Sequence, residues 1–320
     1  MNLLKIDRDR DRDPIPSLLP ASYRTQHDDL APATLDAACI ARELDLRRLH
    51  RVASWLWVAG RPMPPRPLHY QLLLGREIFV TEQMDMHLVW TTGRIFLKPL
   101  PRFLLEPRFW TDHLAPAEAA GARDGIRAHA HPVLWRCALG FLFSYAALIT
   151  HESDLLIAQE KHLIPAEVGW PAWRILVAQL DTEHIYPRID ERFHYGELRL
   201  SRLNKIYVLS QRPILRGYMS QWQQYGSFFQ DNFAWLASAT VFIAIVLTAM
   251  QVGLATKTLA DNDAFQSASY GFTVFSILGP LVAAGLIFLA FCCMFINNWA
   301  ATAAYRTRRF RHMRLRPGKA

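Results

Sequence analysis

The sequence has only four cysteines in 320 residues and no Cys-x-x-Cys pair, so neither a disulfide framework nor a cysteine-based zinc ribbon organises it. It has no Gly-rich phosphate loop, no His-Glu-x-x-His and no Gly-x-Ser-x-Gly elbow. Common motifs for nucleotide binding, metalloproteolysis and serine hydrolysis are therefore absent. Charge is missing from two long segments, residues 232–256 and 264–305, and no acidic residue follows Asp263. The first absence excludes a uniformly water-facing chain. Disorder is excluded as well, because 51% of residues are hydrophobic and only 20% are charged.

The formal net charge of +8 is unevenly distributed. Residues 1–231 carry 28 Lys+Arg against 26 Asp+Glu, residues 232–299 carry Lys257 against Asp261 and Asp263, and residues 300–320 carry seven bases and no acid. The excess belongs to the tail. A diffuse basic face for nucleic acid loses its support, and no nucleic-acid partner is expected.

The two uncharged segments contain apolar cores at 233–254 and 271–296, each long enough at ~1.5 Å per residue to cross a ~30 Å hydrocarbon layer. They predict a C-terminal two-helix transmembrane hairpin, preceded by a juxtamembrane helix over 216–232 and joined by a non-cytosolic loop over 255–270. Arg212 and Arg216 precede the first span. Arg306, Arg308, Arg309, Arg311, Arg314, Arg316 and Lys319 follow the second, in a basic tail at 297–320. This bias places both termini on the cytosolic side, with the tail against the lipid bilayer, where each charge contributes roughly 1 kcal/mol at an anionic leaflet.

The amino end reads differently. Residues 1–33 are a flexible polar arm, with the alternating run Asp7 to Asp13 and no apolar stretch that would suit an export signal. Residues 34–215 predict a cytosolic α+β domain with a small antiparallel sheet and several helices. A helix capped by Thr34 runs through Leu46, Leu49, Val52 and Leu56 to Gly60. Strands are expected at Leu68–Leu74, Glu77–Thr81, Met86–Trp90 and Arg94–Lys98, the last two joined by a hairpin at Thr91-Thr92-Gly93. The apolar run Cys137–Thr150 is too short to span a membrane and predicts a buried core helix. Residues 115–130 read as exposed, and 165–211 as helical.

Candidate chemistry is sparse. His129 and His131 fall in a loop, and His184 and His194 stand ten residues apart without a nearby cysteine, so these read as structural, and neither a catalytic residue, a metal site nor a cofactor is expected; a membrane-bound hydrolase would need a pocket gathering at least two of His129, His151, His162, His184 and His194. In the first span Thr240, Ala244, Thr248 and Gln251 share one small, weakly polar face that either packs against another helix or lines water. Small residues around Gly279-Pro280 in the second span favour close helix contact and a homo-oligomer.

Two stretches, Trp55–Trp110 and Ala249–Thr256 with Ala264–Pro280, resemble a family of uncharacterised filamentous-fungal membrane proteins. Some of its members carry a subtilisin-like protease label, but the glycine-flanked triad segments of such enzymes are absent here. The layout also resembles CorA-type magnesium channels, whose Gly-Met-Asn motif has Ala249-Met250-Gln251 in the corresponding place. That resemblance implies an oligomeric cation channel or transporter subunit. Thr240, Thr248, Met250 and Gln251 would line the path, Asp261 and Asp263 would stand at its outer mouth, and a divalent cation would be the partner. The competing reading is a membrane-tethered interaction protein whose spans only anchor it.

Overall fold

The computed structural model describes residues 15–25, 29–34, 37–114, 130–210, 218–219 and 225–313. The chain divides into two compact units, Met1–Met219 and Ser220–Ala320.

In the first unit, β1 (Ser22–Arg24) and β2 (Leu30–Pro32) form a short antiparallel hairpin inside the segment expected as an arm. The helix expected from Thr34 to Gly60 is instead broken into α1 (Ala37–Glu43), α2 (Arg47–His50) and α3 (Leu56–Ala59). Asp45 supplies the physical reason for the first break. Its carboxylate accepts from the Arg47 backbone N–H at 2.9 Å, offering the chain a local alternative to continued helix.

Five strands make the main sheet: β3 (Gly60–Pro62), β4 (Glu77–Val80), β5 (Val89–Thr91), β6 (Arg94–Leu97) and β7 (Tyr195–Arg199), in the order β3-β7-β5-β6-β4. The expected hairpin is present, with Thr91 opposite Arg94. The sheet is mixed, however, where an antiparallel one was expected: β4 runs parallel to β6, and β5 parallel to β7. Leu68–Leu73 is not a strand but helix α4, because Leu68 and Gln71 are buried while His69, Tyr70, Leu72 and Leu73 face outward. That is a helical spacing, and the apolar composition alone concealed it. Strand β7 falls where only helix was expected. Its buried residues are Gly196, Glu197 and Leu198, which lack both alternation and β-branching.

After α5 (Pro107–Phe109), the core helix α6 (Ala130–Leu148) forms as its composition predicts. Phe141, Tyr145 and Leu148 on it are fully buried. Gly140 allows its close approach to the rest of the domain, since a Cβ there would lie 2.4 Å from the Phe193 ring. Helices α7 (Glu152–Glu160), α8 (Trp170–Ala178) and α9 (Leu200–Ser210) complete the unit. The exposed segment expected at 115–130 lies almost entirely outside the described residues.

The second unit is a helical hairpin of α10 (Tyr225–Leu254), a single turn α11 (Lys257–Ala260) and α12 (Asp263–His312). Both long helices are long and apolar enough to cross a membrane. The connection is shorter than the expected 255–270, because the Asn262 side chain accepts from the Phe265 N–H at 3.1 Å and starts α12 early. Helix α12 then continues through Pro280 and beyond residue 296 to His312. At ~1.5 Å per residue it is about 75 Å long, more than twice a hydrocarbon layer, so the basic segment begins as helix. At the turn, Gly253 lets the helices meet: an added Cβ would stand 2.7 Å from the Phe265 ring.

Candidate functional site

On α10, Thr240, Thr248 and Gln251 are exposed and Met250 is half-buried. The Thr240 hydroxyl donates to the Leu236 carbonyl at 2.8 Å, and Thr248 to Ala244 at 2.9 Å, each within its own helix. Asp261 follows α11 and Asp263 opens α12, both exposed. Among the described residues, no hydrogen bond or ion pair joins any two of these six side chains. At the end of α12 the Arg306 guanidinium lies 5.6 Å from the Phe310 ring centre, and Arg308, Arg309 and Arg311 occupy the same final turns. Arg314, Arg316 and Lys319 lie outside the described residues.

The N-terminal domain gathers a constellation that the sequence did not suggest. Asp154, at the start of α7, is completely buried. One of its oxygens accepts from the His69 backbone N–H and from the His69 ring Nδ1, both at 2.8 Å. The other accepts from the Thr150 N–H at 3.1 Å, the Thr150 hydroxyl at 3.0 Å and the His151 N–H at 3.0 Å. A single carboxylate thereby caps the N-termini of α4 and α7. Burial opposes ionisation of Asp154, but these hydrogen bonds outweigh it and hold its carboxyl below the usual range. The two rings assemble around it. The Thr150 hydroxyl, which donates to Asp154, also lies 2.9 Å from His151 Nδ1. His69 and His151 stack edge to face, with centroids 5.5 Å apart.

Other buried polar groups have mainly structural partners. Glu197 accepts from Arg76 at 2.6 Å, from Gln71 at 3.0 Å and from the Arg66 N–H at 3.1 Å, tying β7 to α4. Arg192 donates to the carbonyls of Tyr195 at 2.6 Å and His87 at 2.8 Å; its burial brings its pKa down to about 10, so it stays charged at neutral pH. Lys98 donates to Glu43 at 2.8 Å and to Glu82 at 3.2 Å. Those two glutamates border a cleft of about 670 Å³ lined also by Arg102, Phe103 and His162. Cys137 lines a second cleft, and burial raises its thiol well above the ordinary value, which keeps it unreactive.

The histidines weighed from the sequence do not come together. His184 contacts Asp181 at 3.2 Å, His194 contacts the Tyr186 carbonyl at 3.1 Å, and the ring of His131 and all of His129 lie outside the described residues. The only local signal for the cluster that does form is the pair His151 and Asp154 at a helix start. His69 stands 85 positions away from Asp154 and reaches it only through the fold.

The described architecture is a mixed α+β domain followed by two long apolar helices, which makes this a membrane-associated protein. The chain belongs to the family of unknown function DUF6601, whose model matches residues 36–280. No curated protein and no solved structure matches it.

Proposed function

We propose that this protein is a membrane-tethered binding protein. The α10–α12 hairpin anchors the chain, both termini face the cytosol, and the basic end of α12 sits among anionic headgroups. The observation that carries this reading is the self-sufficiency of the span hydroxyls. Thr240 and Thr248 donate to carbonyls four residues back, and Thr273 and Ser276 do the same on α12. None of them needs a water file or an ion to satisfy its proton in hydrocarbon.

A second reading is an oligomeric cation pathway similar in layout to the CorA-type channels. It is supported by the exposed carboxylates Asp261 and Asp263 beside the hairpin turn, a short distance along the chain from Met250 and Gln251. Mass measurement of the full chain in mild detergent separates the two, because two helices from one chain cannot enclose a pore. A monomer supports the tether. A ring-sized oligomer that passes cations in liposomes, and passes fewer with Gln251→Leu, overturns it in favour of the pathway. Unchanged flux in that variant removes Gln251 from the path.

A further inference from the structure

We propose that His69, His151 and Asp154 bind a divalent transition-metal ion, Zn²⁺ in the first instance. A ligand atom of each lies within 4.8 Å of those of the other two, and this is the only such group of three among the described residues. The separations from the carboxylate fit a metal's coordination sphere. His69 Nδ1 is 2.8 Å from one Asp154 oxygen, and His151 Nδ1 is 3.7 Å from the other. Bonds of ~2.0–2.1 Å in tetrahedral geometry put neighbouring ligand atoms about 3.3 Å apart, between those two values.

The capping role of Asp154 does not account for the imidazoles. Capping uses the backbone N–H groups of His69, Thr150 and His151, and an alanine at 69 or 151 would supply the same donors. The His69 ring is surplus to it, and the His151 ring adds only its own place in the capping box of α7. Their side chains are 43% and 70% exposed, yet both are held against one buried carboxylate. The arrangement is preorganised in its anionic member, fixed by hydrogen bonds from two helices. It is adjustable in its imidazole members, which can rotate by the few tenths of an ångström that ligation requires.

The donor set decides the class of ion. Two imidazoles and one carboxylate suit Zn²⁺ and its late first-row neighbours, whereas Mg²⁺ and Ca²⁺ favour oxygen ligands throughout. Exposure of both rings leaves the remaining position to water. A ring that ligates through Nδ1 carries its proton on Nε2, and protons compete with the metal for the imidazoles, so affinity falls as pH is lowered. The N-termini of α4 and α7 direct partial positive charge at the same carboxylate and oppose a cation. The expected dissociation constant is therefore on the order of micromolar, well short of a four-ligand structural zinc site.

The test uses the tag-free full chain in detergent. Zn²⁺ titration by calorimetry is expected to show one site per chain, and Co²⁺ is expected to develop the strong visible absorption of low-coordinate cobalt. The double variant His69→Ala/His151→Ala should weaken binding at least tenfold and abolish the cobalt band, while His184→Ala leaves both unchanged. Asp154 is kept intact because its loss would uncap two helices. Circular dichroism without metal checks that the double variant is folded; if it is not, the single variants His69→Gln and His151→Gln are read in its place. Equal Zn²⁺ affinity in the wild-type chain and the folded variants overturns the proposal, as does absence of uptake by the wild-type chain. Neither outcome bears on the tether, which is judged by oligomeric state and flux.

Discussion

The N-terminal domain and the hairpin satisfy their polar side chains by opposite means. In the domain the partners are remote in sequence: Glu197 meets Arg76 across 121 positions, Asp154 meets His69 across 85, and Tyr145 meets the Lys98 carbonyl across 47. In the hairpin, Ser238, Thr240, Thr248, Thr273, Ser276, Thr302 and Thr307 all donate to the carbonyl four residues before them. A domain folded in water can use long-range polar contacts because the chain between them collapses cooperatively. A helix in hydrocarbon must have its polar groups satisfied before any tertiary contact exists. The contrast predicts that single polar substitutions are costly in the first unit and cheap in the second.

The largest effect is expected at Glu197. Removing this carboxylate takes the charge partner from the buried Arg76 guanidinium, which keeps only the Gln71 side-chain oxygen, and leaves the Arg66 N–H without its acceptor. Breaking a buried pair from one side typically costs about 3–5 kcal/mol, so Glu197→Ala should lower the denaturant midpoint of the domain severely. A loss below about 1 kcal/mol would mean that water reaches the site, and the contrast would lose its strongest instance. Next is Gly140→Ala, which drives a Cβ to 2.4 Å from the Phe193 ring; overpacking of this kind costs about 1–3 kcal/mol and is checked in the same unfolding experiment.

Acid should act on the domain through His87. It is buried against Phe141 and Tyr145 and bonded to Ser144 at 2.9 Å. Burial, reinforced by Arg192 and Lys98, holds its pKa well below the ordinary histidine value of 6.5. The unfolded chain therefore takes up a proton that the folded chain refuses, and stability falls as pH drops below about 6.5. His50 works the other way. The hydrogen bond it donates to Asp190 raises its pKa, so its contribution is present below that pH and fades as pH rises through the folded value. His50 is 40% exposed and its shift is the weaker, so the net slope below pH 6.5 should follow His87. Unfolding curves measured from pH 7.5 to pH 5 check this, and His87→Gln should flatten the slope.

The same contrast accounts for what could be read from the sequence. The hairpin was legible because its constraints are local: an absence of charge, a length set by the bilayer, and basic residues after the second apolar core. It differed at its turn, where the Asn262 cap starts α12 before residue 271, and at its end, where α12 runs past residue 296 to His312. The core helix was legible for a similar reason, as an unbroken apolar run around Phe141 and Tyr145. Helix α4 and strand β7 were misjudged because their burial is dictated by partners elsewhere. Glu197 sits in a central strand only because Arg76 and Gln71 await it. The His69, His151 and Asp154 cluster is the extreme case. Its members occupy two helix starts, and neither start carries a motif by itself.

The smallest effect is expected in the spans, and it tests both the contrast and the tether. Replacing Thr240 and Thr248 together by valine keeps the shape of each side chain and deletes two hydroxyls whose protons serve only Leu236 and Ala244. Those carbonyls remain within the helical backbone, so no orphaned donor results. Side-chain hydrogen bonds in membrane proteins average about 0.6 kcal/mol even where they join different helices, and bonds within one helix should contribute less. The double variant should unfold in detergent within about 0.5 kcal/mol of the wild-type chain and keep its oligomeric state. A loss of several kcal/mol, or a change of assembly, would show that the hydroxyl oxygens also accept from another chain or coordinate an ion, and the polar face of α10 would then be a contact surface in its own right.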